Sequence, residues 1–391
     1  MTADRRATVC LAALAISLLA PAPATDPKTL GRTVVALVAD HFLDRDRANA
    51  WAATHNGYAD AITDPRAFAV ATNAALAELK TSHTRLYTPD DVAYYGLMAI
   101  FAPALKRPAP AFESIGVDLA EGRYVRRVFA GGPGEAAGLR RGDEIVGADQ
   151  RPLVEVATFR GQSARQVALA VRRRAADPLI EVRVKPRTVV ASREWAEAQE
   201  KGTRRIARGG KSIGYVPIFS GAGDVPKEDL RSQFSGELRD ADALVLDFRD
   251  GWGGSDPDFV SLFDPRPPVL TFVERDGKRR IYDAAWRKPL VVLINGGTRS
   301  GKEVVARAIQ KHRLGTLVGT RTAGAVAAGQ PFLLADGSLL VLAVADVLAD
   351  GERLEGVGVA PDVEVPDALP YADGADPQLD AALDAAVKAV R

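Results

Sequence analysis

Val291-Val-Leu-Ile-Asn-Gly-Gly-Thr-Arg-Ser-Gly-Lys-Glu303 carries three structural signals in one short stretch. The apolar run Pro289-Leu-Val-Val-Leu-Ile294 reads as a strand buried on both faces. Gly296 and Gly297 mark a turn. Lys302 to His312 then reads as a helix. A buried strand that turns on glycine and opens into a helix is an α/β pattern. The spacing Ser300-x-x-Glu303 is a capping box, so the serine has a purely structural use. It also sets a hydroxyl at a helix N-terminus, where the dipole favours negative charge. Both readings stand on these residues alone.

The surrounding sequence repeats the pattern. Ile213 opens a strand, helix, strand succession, and Ala243-Leu-Val-Leu-Asp-Phe248 is a second buried strand. Leu314–Val318 reads as a further strand. Asp336-Gly337 is a hairpin turn between Phe332–Leu334 and Ser338–Val344. Asp376-Pro377 starts a final amphipathic helix. Toward the N-terminus, residues 26 to about 110 read as helical, with Asp64-Pro65 as a helix start. From about 112 to 187 the pattern changes to short strands: Ile115–Val117, Tyr124–Val128 and Ile180–Val184. Ser163 to Arg174 reads as an amphipathic helix within them, and the polar stretch 189–210 as a connector.

Composition narrows the class. The chain has 391 residues, 47% hydrophobic, with a formal net charge of +1. That balance suits a soluble globular protein of two or three domains. No segment is basic enough to predict nucleic-acid binding. At the start, Arg5 and Arg6 precede an apolar run from Val9 to Ala20, then Pro-Ala-Pro-Ala24. This predicts a secretory signal peptide over residues 1–24, and export to a periplasmic or extracellular space. The run is short for a membrane span, so no stable span is expected after cleavage. The one cysteine, Cys10, would leave with it, so no disulfide or thiol nucleophile is expected. No clustered metal-ligand spacing is present, and no cofactor is expected.

Three blocks resemble the C-terminal-processing (tail-specific) serine peptidase family. Gly131-Gly-Pro-Gly134, Glu135-Ala-Ala-Gly-Leu139 and Gly142-Asp-Glu-Ile145 are similar to its PDZ pattern. A PDZ-like domain over 111–188 is thereby implied, with peptide C-termini as its ligands. Leu244-Val-Leu-Asp-Phe-Arg-Asp-Gly-Trp-Gly-Gly254 resembles the strand and glycine turn that supply an oxyanion-hole amide, here Gly253. The opening stretch resembles the nucleophile segment, with Ser300 as nucleophile and the Gly301 amide as second donor. Gly319-Thr-Arg-Thr-Ala-Gly324 and Glu355-Gly-Val-Gly-Val-Ala-Pro-Asp362 follow in the family's order. The resemblance implies an α/β, crotonase-like (ClpP-like) core over 211–391, behind a helical domain at 25–110.

One departure matters. The family's general base is a lysine about two dozen residues after the serine, and Ala325 stands there. Lys302 is two residues from Ser300, a helical spacing that points elsewhere. The tricorn-type relatives use Ser, His and Glu instead. Ser82-His83 and Glu355 resemble their positions. The implied set is Ser300 as nucleophile, His83 as base, Glu355 as third member and Ser82 beside the histidine. In that type the glutamate acts nearer the nucleophile's hydroxyl than a standard triad acid does. Against this, His83 has ordinary structural uses and Glu355 the ordinary exposure of a loop carboxylate.

The function so implied is endopeptidase cleavage of exported polypeptides, with sites near their C-termini among the candidates. The rivals are an inactive homologue that binds peptides or apolar ligands, and a peptide-binding adapter. Distance separates them: an enzyme needs His83 near Ser300.

Overall fold

The computed structural model describes residues 26–264, 266, 268–283 and 285–390. The signal-peptide expectation, with Cys10, lies outside them. A six-stranded sheet forms the centre. Its order is Arg204–Arg208, Lys211–Pro217, Ala243–Asp247, Leu290–Ile294, Thr316–Gly319, Val363–Glu364. The first pair is antiparallel and every later pair is parallel.

The continuous apolar runs are explained by cover on both faces. Leu244, Leu246, Val292, Ile294 and Leu317 pack with Leu230, Phe234, Val305 and Ile309 on one side. Ala243, Val245, Val291, Leu293 and Val318 meet Ala382, Leu383 and Ala386 of the Pro377–Ala389 helix on the other. That helix starts where Asp376 accepts from Leu379 N at 3.0 Å.

Residues 26–110 hold five helices, but they do not close a core of their own. Leu30, Val34, Val38, Phe68 and Leu76 pack against Leu340, Leu342 and Ala343. The link is a three-stranded sheet in which Arg85–Tyr87 pairs with Leu339–Ala345, itself paired with Ala328–Leu333. Ser82 and His83 precede this strand directly, so its register carries them to the C-terminal half of the chain.

Between these parts lies an antiparallel sheet of Val117–Ala120, Tyr124–Val128, Glu144–Ala148, Val167–Arg172 and Ile180–Val184. The expected helix at 163–174 is therefore a strand. Val167, Leu169 and Val171 are buried while their neighbours are half-exposed, the period of two that a central strand requires. The 189–210 connector is also more ordered than expected. It contains the helix Ala191–Gly202, whose Ala191, Glu194 and Ala198 are buried. Among the described residues no helix is long and apolar enough to cross a membrane.

Candidate active site

Ser300 follows the Leu290–Ile294 strand and caps the Gly301–Lys311 helix. Its backbone sits at φ 58°, ψ −133°, a conformation costly for any residue but glycine. Two contacts of its amide hold it there. Ser300 N donates to Ala325 O at 2.9 Å and to Glu303 Oε2 at 3.1 Å. Glu303, fully buried, also accepts from Thr322 Oγ1, Gly324 N and Ala325 N at 2.5, 2.7 and 2.8 Å. The capping carboxylate thus fixes both the serine and the loop that faces it.

The glycine turn after Ala243–Asp247 lies against this serine. A Cβ on Gly253 would stand 2.4 Å from Ser300 Cβ and 2.9 Å from its Oγ. Only glycine allows that approach. Gly301 is equally confined, since a Cβ there would meet Ser255 O at 2.4 Å. Among the described residues, neither Gly253 N nor Gly301 N donates to a protein acceptor. Asn295 ties the two turns together, its Oδ1 accepting from Asp250 N at 3.0 Å and Gly297 N at 2.9 Å.

Ser82, His83 and Glu355 form a chain of their own. Glu355 Oε1 accepts from Ser82 N and Oε2 from Ser82 Oγ, both at 2.8 Å. Ser82 Oγ lies 2.8 Å from His83 Nδ1. The serine hydroxyl has one proton and gives it to the carboxylate, so it accepts from Nδ1–H. That leaves Nε2 as the unprotonated, basic nitrogen of a neutral ring. Burial lowers the His83 pKa, opposed by the Glu355 charge and aided by Arg299. Glu355 remains ionised despite burial, because amide donors from Ser82, Ala327 and Val326 and the Ser82 hydroxyl pull its pKa down.

His83 and Ser300 line one cavity of about 810 Å³. Ser82, Gly253, Gly301 and Ala325 line it too, with Leu97, Phe101, Trp252, Val260 and Val304 as apolar wall. Among the described residues no hydrogen bond joins the His83 ring to Ser300. Glu355 touches the Ser82 hydroxyl and not Ser300, so it reaches the histidine only through Ser82. This differs from the expectation that it acts near the nucleophile's hydroxyl. His312 is among the residues that line the cavity, while His55, bonded to Trp51 O at 2.9 Å, is not. Lys302 points away from Ser300 and donates to main-chain carbonyls beneath the turn. Glu303, read from sequence as a cap, proves to be the main organiser of the serine's loop. Its spacing from Ser300 was the available signal.

The sequence model of Peptidase family S41 matches residues 212–365, the segment that carries Gly253, Ser300 and Glu355. Residues 212–365 of the chain are thus similar to this family. A carboxyl-terminal-processing protease of Synechocystis is 30% identical over 275 residues, covering 66% of this chain and 63% of that protein. A putative tricorn protease homolog 2 of Streptomyces coelicolor is 27% identical over 358 residues, covering 82% of this chain and 28% of that protein. The chain therefore spans somewhat less than two thirds of the Synechocystis relative. Among solved structures, a photosystem II D1 C-terminal processing protease superposes with a TM-score of 0.54 at 22% identity, over 90% of this chain and 99% of that one. The S41 fold is thereby shown at the level of its mixed α/β architecture.

Proposed function

We propose that the protein is a serine-type endopeptidase of exported polypeptides, working through an acyl-enzyme on Ser300. The observation that carries this reading is the meeting of two distant segments in one cavity. Ser82-His83 and Ser300 come from opposite ends of the chain and line the same apolar space. His83 Nε2 takes the serine proton as Oγ attacks a peptide carbonyl, and returns it to the leaving amine. Ser82 holds the ring in the tautomer that leaves Nε2 basic, and Glu355 anchors Ser82. The free Gly253 and Gly301 amides receive the oxyanion. Closure of the last gap between His83 and Ser300 is assigned to substrate binding, since catalytic hydrogen bonds are often loose in free enzymes. This is a tricorn-like Ser/His/Glu arrangement with Ala325 at the lysine position.

The antiparallel sheet at 117–184 is assigned the PDZ-like role of holding peptide C-termini, as its Gly131–Ile145 pattern implies. The core is assigned the crotonase-like class and the N-terminus the export signal. The domain limits are those set out from sequence. The test is labelling by a fluorophosphonate serine probe, with Ser300→Ala and His83→Ala alongside. Labelling lost in both folded variants supports the reading. Labelling that survives Ser300→Ala refutes the nucleophile, and labelling that survives His83→Ala refutes the base. A wild type that does not label, with or without a C-terminal peptide, points to a binding protein instead.

A further inference from the structure

Lys302 is fully buried, two residues after Ser300, and absent from the chemistry above. Its Nζ reaches three main-chain carbonyls: Ile218 at 2.5 Å, Asp250 at 3.0 Å and Phe219 at 3.5 Å. These acceptors lie just past the ends of two central strands, Lys211–Pro217 and Ala243–Asp247. The segments they belong to run side by side. Trp252 N donates to Phe219 O at 2.8 Å and Gly221 N to Gly253 O at 3.0 Å. Gly251 fits between them at φ 70°, where a Cβ would stand 2.3 Å from Phe219 O and 3.4 Å from Lys302 Nζ. One ammonium therefore fastens the Asp250–Gly254 turn to the helix that begins at Ser300.

We propose that Lys302 is a positioning residue for the oxyanion site: it fixes the Gly253 amide relative to Ser300 Oγ by clamping the carbonyls under the turn. The inference rests on the Ser300 and Gly253 assignments above. Three acceptors match the three protons of an ammonium. A neutral amine would leave one buried carbonyl unpaired, a cost the fold would meet by letting the turn shift. The charges that face Lys302 are Arg127 and Asp118 from the antiparallel sheet, and Asp247 and Asp250 from the core. The Phe248 ring lies 5.9 Å from Nζ. Burial and Arg127 oppose the ammonium, and the three aspartates favour it. Its function is thus tied to an environment balanced between the two states.

The test compares two ligands of one peptide sequence. A peptide aldehyde forms a hemiacetal on the serine and places its oxygen in the oxyanion site. The corresponding peptide alcohol occupies the same groove without doing so. Lys302→Met is expected to weaken aldehyde binding about 100-fold, the scale of one oxyanion donor. Alcohol binding should change less than about threefold, and kcat should fall with KM held. Lys302→Gln, which retains two donors, is expected to lose only about tenfold, and it carries the test if the methionine variant does not fold. Equal loss of aldehyde and alcohol binding would show a merely structural lysine and overturn the proposal. Undiminished aldehyde affinity in either folded variant would overturn it as well. A Ser300→Ala protein that binds the aldehyde as tightly as wild type would remove the nucleophile assignment, and this inference with it.

Discussion

Ser82 and Glu355 stand 273 positions apart in the chain and share two hydrogen bonds of 2.8 Å, one from the serine amide and one from its hydroxyl. Among the described residues, the hydroxyl is the one hydrogen-bonded link between the carboxylate and His83. Ser82→Ala should therefore leave Glu355 anchored by the amides of residues 82, 326 and 327 while freeing the ring. We expect a fall in kcat of about 100-fold, within the usual range for loss of general-base function. KM and melting temperature should scarcely move. A Ser82→Ala enzyme with full kcat would show that the relay is incidental.

The acid limb of the pH–rate profile follows from the direction of the His83 shift. Burial holds its pKa below 6.5, so the neutral, basic ring persists to below that pH. Activity should be lost as pH falls through the lowered value, not through 6.5 itself. A histidine buried neutral also costs stability once the unfolded chain binds the proton it refuses, so stability should decline below about pH 6.5. Because the Glu355 charge raises the His83 pKa, Glu355→Gln should move the acid limb to still lower pH. Measurement of kcat/KM from pH 4.5 to 8 checks both statements. A limb that moves upward in the variant would contradict the assigned electrostatics.

Glu303 accepts four hydrogen bonds at zero exposure, from Ser300 N, Thr322 Oγ1, Gly324 N and Ala325 N. Removal of the carboxylate leaves several buried donors unpaired, each costing about 1–3 kcal/mol. Glu303→Ala should destabilise the protein by at least about 3 kcal/mol in chemical denaturation. It should also slow fluorophosphonate labelling, since it frees the backbone of a serine held at positive φ. Unchanged stability would mean that water or a rearranged loop replaces the carboxylate.

The central sheet was legible because Leu290–Ile294 and Ala243–Asp247 are apolar without interruption, and only strands covered on both faces read so. The helix ends at Asp64-Pro65 and Asp376-Pro377 were legible because their capping aspartates and prolines act locally. Val167–Arg172 was misread because its alternation is short and bordered by polar residues, and burial between two neighbouring strands decided its state. The candidate residues Ser300, Gly253, His83 and Glu355 could be named from motifs. The Ser82 bridge and the Lys302 clamp could not, because both depend on where non-local segments bring an oxygen within hydrogen-bond reach.

The C-terminal helix is tied to the strand end by a buried ionic network that should be worth more to stability than to chemistry. Arg249, 5% exposed, donates to both oxygens of Asp247 and both of Asp376 at 2.7 to 3.0 Å. Arg127 and the Tyr215 hydroxyl complete the set around Asp247. Burial alone would raise the Asp247 pKa, and the two arginines reverse this and hold it well below the usual carboxylate range. A carboxylate with a depressed pKa contributes stability above its unfolded value near 4, and that stability is lost as pH falls through the folded value. Arg249→Met strands the buried Asp247 and the half-buried Asp376 without their shared guanidinium and should cost about 3–5 kcal/mol. The loss should be largest near neutral pH and shrink as acid protonates the stranded groups, which pH-dependent denaturant melts would measure. A loss that stayed constant down to pH 3 would mean that packing of the arginine stem, and not its charge, holds the helix in place.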